Sequence, residues 1–166
     1  VPVTVKHRIG IDRTESYEFV RDFVGKVSEA GCKVFIVHAR NAWLKGLSPK
    51  ENRELPPLRY ELVHRLKREL PQLTIVINGG IVTNAQICDH LQAGDGVMVG
   101  REAYHNPWLM AEWDASFFGD APVSLTRDGV EEQRVDYMTR EAAQNGTPSQ
   151  GADSRRGIEN GARCCV

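Results

Sequence analysis

Hydrophobic positions in this chain follow two periodicities that alternate along its length. Val3-Thr4-Val5-Lys6 is a short β-branched stretch, and Gly10 follows it closely. Val20, Phe23, Val24 and Val27 then recur at i, i+3, i+4 and i+7, which is one apolar face of a helix. Glu29-Ala30-Gly31 closes that helix, and Val34-Phe35-Ile36-Val37 is a continuous apolar run of the kind buried in a parallel sheet. A long loop, about residues 38–58, carries Gly46, Pro49, Pro56 and Pro57. Helical spacing returns at Leu62, Val63, Leu66 and Leu70 and stops at Pro71. Thr74-Ile75-Val76-Ile77 reads as a third strand, and Thr83-Asn84-Ala85-Gln86 has the capping-box form for a short helix carrying Ile87 and Leu91. Gly96-Val97-Met98-Val99 is a fourth strand, followed by Gly100-Arg101 and a helical segment with Pro107 near its start.

Four strand–helix units in a row imply a parallel α/β sheet with right-handed crossovers. Two architectures fit: an open doubly wound sheet, or part of a TIM (β/α)8 barrel. In both, function gathers at the carboxyl ends of the strands. That rule singles out Lys6-His7-Arg8, His38-Ala39-Arg40, Asn78-Gly79-Gly80 and Gly100-Arg101.

Composition narrows the class. A chain of 166 residues with 41% hydrophobic and 26% charged residues and a formal net charge of −1 is an ordinary globular protein. It has no apolar run long enough for a transmembrane helix and no secretory pattern, so a cytoplasmic protein without a membrane role is expected. Cys32, Cys88, Cys164 and Cys165 lack metal-ligand spacing, so free thiols and no metal are expected. The chain opens in mid-strand without an initiator Met, which reads as an amino-terminal truncation. Residues 1–118 read as the sheet domain and 119–143 as the start of a helical region. Residues 144–166 are rich in Gly, Ser and Asn and read as a disordered tail.

The four strand ends make a coherent anion and cofactor site. In Asn78-Gly79-Gly80 the glycines let the backbone approach a phosphate closely. Gly100-Arg101 repeats this one strand later and adds a guanidinium for bidentate grip. Lys6 is placed to stabilise negative charge on a bound ring, and His38 ends an apolar strand at the same face. The stretch from Arg40 to Arg68 holds eight cations (Arg40, Lys45, Lys50, Arg53, Arg59, Arg65, Lys67, Arg68) against Glu51, Glu54 and Glu61. Arg65, Lys67 and Arg68 read as a solvated helix face, but the loop cations suit a polyanion such as RNA, on whose base Trp43 could stack.

VTVKHRIGID, VHARNAWLKGLSPKENRELPPL, INGGI and DGVMVGREAYHNPWL together resemble the tRNA-dihydrouridine synthases, and the long ARNAWLKGLSPKENR loop is most similar to their A subfamily. The resemblance runs from about Val1 to Trp113. It implies the carboxyl-terminal part of a flavin-binding TIM barrel, with the last four βα units present and a helical domain after them. It also implies FMN as cofactor, NADPH as electron donor, and reduction of the C5–C6 double bond of uridine in the tRNA D-loop. On that pattern Lys6 and His38 contact the flavin, Asn78, Gly79, Gly80, Gly100 and Arg101 hold its phosphate, and Lys50 and Arg53 meet tRNA. The flavin delivers a hydride to C6, and a cysteine protonates C5. That cysteine is expected upstream of Val1, and none of the four cysteines present replaces it, so no catalytic residue is assigned in this chain.

The resemblance implies no obligatory protein partner for a full-length parent. After about Gly146 the tail departs from the family pattern and reads as a fragment or frameshift. A half-barrel with two unpaired edges is expected to be marginal alone. Two other classes remain open: another FMN- or phosphate-binding barrel oxidoreductase acting on a small molecule, and a non-catalytic RNA-binding remnant.

Overall fold

The structure, a computed structural model, describes residues 1–145 apart from 15 and 123. By contacts the chain divides into two compact units, Val1–Phe118 and Gly119–Val166. The first unit alternates strand and helix: β1 (Thr4–Arg8), α1 (Tyr17–Glu29), β2 (Val34–His38), α2 (Tyr60–Glu69), β3 (Thr74–Asn78), α3 (Asn84–Leu91) and β4 (Gly96–Met98). The helical segment expected after β4 is broken into α4 (Arg101–His105), a 3-10 turn (Pro107–Met110) and α5 (Trp113–Phe118). Pro107 lies at the start of the 3-10 turn, where its missing N–H leaves no helical bond unmade. The second unit contains α6 (Arg127–Asn145). Gln144 and Asn145, assigned to the tail by composition, are the last residues of this helix. The remainder of the tail, with Cys164 and Cys165, lies outside the described residues.

The sheet is wholly parallel and its strands follow chain order, β1-β2-β3-β4. A doubly wound sheet reverses direction at a switch point so that helices cover both faces. Here every crossover steps the same way, and with a fixed right hand that places α1, α2 and α3 on one face. Sequential order with one-sided helices is the geometry of a barrel arc.

Alternation along the strands shows which face is which. Phe35, Val37, Ile75 and Ile77 are all at most 1% exposed and join Val20, Val24, Val63 and Leu66 in the core beneath the helices. Their neighbours Val34, Ile36, His38, Val76 and Asn78 are only half-buried. The apolar runs of β2 and β3 therefore serve two environments: a packed helix layer and an inner face. Phe23, expected on the buried stripe of α1, is 39% exposed. It lies at the stripe's margin, with its ring 5.0 Å from that of His7.

Local signals set the helix ends. The Ser16 hydroxyl accepts from the Phe19 N–H at the start of α1. Thr83 and Gln86 complete the capping box of α3 in both directions. Helices α1 and α2 are tied together by the Arg65 guanidinium, 3.8 Å above the Tyr17 ring. At the amino-terminal end of the sheet, Lys67 pairs with Asp95 at 2.7 Å, and Asp95 also accepts from the Ile75 N–H.

Among the described residues, β1 and β4 each have a strand neighbour on one side only. Unpaired edges with a half-buried inner face favour association. The 166-residue chain is therefore expected to self-associate as its concentration rises, measured by sedimentation velocity. A monomer with one sharp two-state melt at low concentration would overturn this.

Candidate cofactor and nucleic-acid site

Parallel register aligns the last strand residues into one row. Arg8 pairs with His38, His38 with Asn78, and Asn78 with Met98. Two residues earlier on the same face, Lys6 pairs with Ile36 and Ile36 with Val76. Lys6, Arg8, His38 and Asn78 thus share the inner face at its carboxyl-terminal end. The Asn78 side-chain amide donates to the Met98 carbonyl at 2.7 Å, and the Asn78 backbone carbonyl accepts from the Ala39 N–H at 2.9 Å, so the row is cross-linked.

The glycine loop after β3 is shaped against His38. Gly79 has φ +117, and a Cβ there would stand 2.5 Å from His38 Cδ2. Gly80 has φ +68, and its Cβ would meet Leu58 Cδ1 at 2.6 Å. Both positions therefore require glycine on conformational and steric grounds. The Tyr60 hydroxyl donates to the Gly79 carbonyl at 2.6 Å and holds the loop from the α2 side. Gly100 differs: a Cβ there would meet only Asn78 Nδ2, at 4.0 Å, so space opens above it.

The electrostatics of this end are one-sided. Burial pushes the His38 imidazole down to about 4, helped by the positive charges of Arg8, Lys6, Arg40 and Arg101. Lys6 is exposed yet lowered too, by partial desolvation and by Arg8. Arg40 donates to the Pro56 carbonyl, while its buried Nε finds no acceptor among the described residues. Four cations crowding a neutral imidazole, beside an orphaned guanidinium N–H and a glycine cradle, fit a bound phosphate.

Arg101 is not aimed freely at this space. Its Nη1 lies 2.5 Å from Glu54 Oε1, joining the loop after β4 to the long loop after β2. Arg8 anchors that same loop: its Nη1 donates to the carbonyls of Asn41 and Asn52, each at 2.7 Å. The Asn52 side chain in turn accepts from the Trp43 N–H at 3.0 Å and donates to the Trp43 carbonyl. Lys50 and Arg53 flank this anchor on either side. Both are exposed, and neither forms an ion pair among the described residues.

Several other cations in the basic stretch are already neutralised. Arg59 pairs with Glu61 at 2.5 Å, Arg65 with Glu69 at 2.7 Å, and Lys67 with Asp95 at 2.7 Å. The charge excess seen in sequence is thus concentrated at Arg40, Lys45, Lys50 and Arg53, together with Arg68 on α2. Sequence reading underrated Arg8, Asn52 and Tyr60. Arg8 at a strand end was a visible signal, whereas nothing local marks Asn52 or Tyr60 as anchors. Cys32 lies at the opposite end of the sheet, with its sulfur near the carbonyls of Val3 and Val34, and Cys88 is exposed on α3.

A family model described as dihydrouridine synthase (Dus) matches residues 1–152. The chain belongs to the dihydrouridine synthase family. The match extends well beyond Trp113, where the recognisable motifs end, and it makes the four βα units part of a TIM barrel. The chain is 59% identical over 134 residues to the tRNA-dihydrouridine(20/20a) synthase of Pseudomonas putida, covering 80% of this chain and 40% of that protein. It is 53% identical to the protein of the same name from Pseudomonas syringae pv. tomato, covering 88% of this chain and 44% of that one. A third relative of that name, from Escherichia coli K12, is 53% identical over 87% of this chain and 42% of its own length. The chain thus spans about two fifths of the length of these relatives and corresponds to their carboxyl-terminal part.

The depressed His38 makes stability pH-dependent. Unfolded His38 takes up a proton near its ordinary 6.5, whereas the folded residue resists until about 4. Stability is therefore full above about 6.5, falls as pH drops through that window, and levels off below about 4. His7, His64 and His90 are lowered mainly by burial and add slope of the same sign. Urea melts across this range should show the loss, and His38→Gln should make it shallower. An unchanged slope in that variant would remove His38 as a contributor.

Proposed function

We propose that this chain forms the carboxyl-terminal half of the catalytic barrel of a tRNA-dihydrouridine synthase, binding FMN at its strand ends and tRNA on the loop after β2. The reaction is reduction of the uridine C5–C6 double bond in the tRNA D-loop, with NADPH as the electron source. The relatives' names point to positions 20 and 20a as the target uridines. One observation carries the reading: a glycine loop that admits no side chain lies against a neutral histidine ringed by four cations.

The flavin, when bound, supplies two-electron reduction chemistry. The rest of the work belongs to the protein. Gly79 and Gly80 let backbone approach the phosphate, and Arg101, beside Gly100, offers it a guanidinium. Asn78 fixes the spacing between these two loops through the Met98 carbonyl. Lys6 lies one row deeper on the inner face and places a positive charge where the ring gains electron density. His38 stays neutral at pH 7 and can donate a hydrogen bond without adding a fifth charge. Lys50 and Arg53 meet the RNA backbone, where a mobile polyanion favours exposed cations. The C5 proton donor is assigned to a cysteine outside these 166 residues.

Titrating the purified chain with FMN, followed by flavin fluorescence, tests the cofactor half of the reading. Saturable binding is expected. Lys6→Ala should weaken it by roughly 10- to 100-fold, the usual scale for a lost hydrogen bond to a charged group. Gly79→Ala should abolish it, because the added Cβ collides with His38. No binding to the intact chain at high micromolar FMN would overturn the proposed cofactor site.

Glu54 gives a second, opposite-signed test. Its carboxylate competes with a phosphate for Arg101, so Glu54→Gln should tighten FMN binding by about 2- to 5-fold, the scale of an exposed ion pair. Weaker binding in that variant would show that Glu54 positions Arg101 instead of competing for it.

A further inference from the structure

A second concave site lies beside the mouth, between the loops that follow β1 and β2. It is an open cleft of about 520 Å3 lined by Asp12, Arg13, Trp43 and Lys45. Its walls are pinned by backbone bonds that continue the parallel pairing past the strand ends. Ala42 donates to the Gly10 carbonyl at 2.9 Å, Asp12 donates to the Ala42 carbonyl at 2.6 Å, and Ile11 bridges Ala42. The Asp12 carboxylate accepts from the Leu44 N–H at 2.7 Å through Oδ1, and Asp12 holds a left-handed backbone at φ +50. Gly10 has no room for a side chain, since a Cβ would stand 2.1 Å from the Thr14 carbonyl oxygen. A surface loop with no further role has little need of such constraint.

Trp43 is the centre of this cleft. Asn52 grips its backbone from both sides, so the indole sits on a fixed support. The ring is half-buried, packs on no other aromatic ring, and its N–H donates to no acceptor among the described residues. Arg13 and Lys45 are exposed, and neither forms an ion pair among the described residues. A rigid aromatic face flanked by two uncommitted cations matches the two parts of a nucleotide: a base that stacks and a phosphate that pairs. Asp12 Oδ2 accepts no bond among the described residues, so it can take a base N–H.

We infer that this cleft binds one unpaired nucleotide of the RNA substrate, stacking its base on Trp43 and holding the adjoining phosphates with Arg13 and Lys45. The inference rests on the RNA-binding reading above and deepens it by naming a base-contacting residue. The same nucleotide chemistry occurs in a dinucleotide electron donor. RNA is favoured because Lys50 and Arg53 stand on the same loop, either side of the Asn52 that fixes Trp43.

The test uses the full 166-residue chain and a short unpaired RNA of mixed sequence, followed by fluorescence anisotropy over a range of salt. Trp43→Ala should weaken binding by about 5- to 100-fold at fixed salt, the scale of one lost base stack, and leave the salt slope unchanged. Trp43→Phe should keep most of the affinity. Arg13→Ala and Lys45→Ala should each lower the salt slope by about one. FMN affinity should stay the same in all four variants, which separates a lost contact from a lost fold.

RNA binding by Trp43→Ala equal to the unaltered chain would overturn the cleft while leaving the RNA-binding reading intact. Equal losses of RNA and FMN binding in Trp43→Ala would also overturn it, because Trp43 would then be a structural residue. Displacement of the RNA by NADPH in the unaltered chain, absent in Trp43→Ala, would reassign the cleft to the electron donor. Failure of the unaltered chain to bind RNA at all would overturn the underlying reading itself.

Discussion

Strict parallel register is the constraint on which the rest of this structure depends. Side chains alternate across a strand, so a slip of one residue in β2 would send His38 to the helix face and Val37 to the mouth. What prevents the slip is burial. Phe35 and Val37 on β2, and Ile75 and Ile77 on β3, are essentially inaccessible beneath α1 and α2. A slip of β2 would put Val34, Ile36 and His38 under the helices in place of Phe35 and Val37, trading a close-packed ring for a polar imidazole in the core. The row Arg8, His38, Asn78 and Met98 is therefore set by the hydrophobic core on the opposite face. The geometry of this row is a by-product of packing, and the inner-face residues need contribute nothing to holding themselves in line.

The two ends of the sheet treat charge differently. At the amino-terminal end, Lys67, Asp95 and the Ile75 N–H satisfy one another, and the ion pair neutralises itself. At the carboxyl-terminal end, Lys6, Arg8, Arg40 and Arg101 accumulate, and among the described residues Glu54 alone forms an ion pair with them. Such crowding costs stability, and the molecule lowers that cost by keeping His38 neutral. Satisfied charge at one end and unbalanced charge at the other is the pattern of a scaffold carrying a site, where local rules are broken for function.

Much of this was legible in the sequence because the signals were local. The cores of β2 and β3 are runs of β-branched and aromatic residues, Pro71 marks where α2 gives way, and Thr83 with Gln86 names its own cap. The glycine pairs and strand-end cations follow from topology once four βα units are seen. Charge counting was less reliable, since it records sign but not partner: Asp95 lies far from Lys67 in sequence yet neutralises it. The apolar spacing of α1 included Phe23 because periodicity marks a stripe and not its edges. The anchors Asn52 and Tyr60 stayed hidden for a similar reason. An asparagine in a loop and a tyrosine at a helix start are unremarkable until folding brings them to Trp43 and Gly79.

The long loop after β2 joins the two halves of the proposed site through specific bonds. Arg8 belongs to the inner row and also donates to Asn41 and Asn52 in the loop. Arg101 belongs to the second glycine loop and reaches Glu54, one residue beyond Arg53. An anion that draws Arg101 away from Glu54 therefore alters the electrostatic surroundings of the residues proposed to meet RNA. On that proposal the coupling is reciprocal: whatever binding free energy a bound phosphate lends to RNA binding, bound RNA lends to the phosphate. The Arg8 anchor does not involve Glu54, since its acceptors are backbone carbonyls and an uncharged amide. The loop is thus held at one point by Arg8 bonds to uncharged acceptors and biased at another by an ion pair, so on the proposed reading its RNA affinity can respond to cofactor binding without its fold being lost.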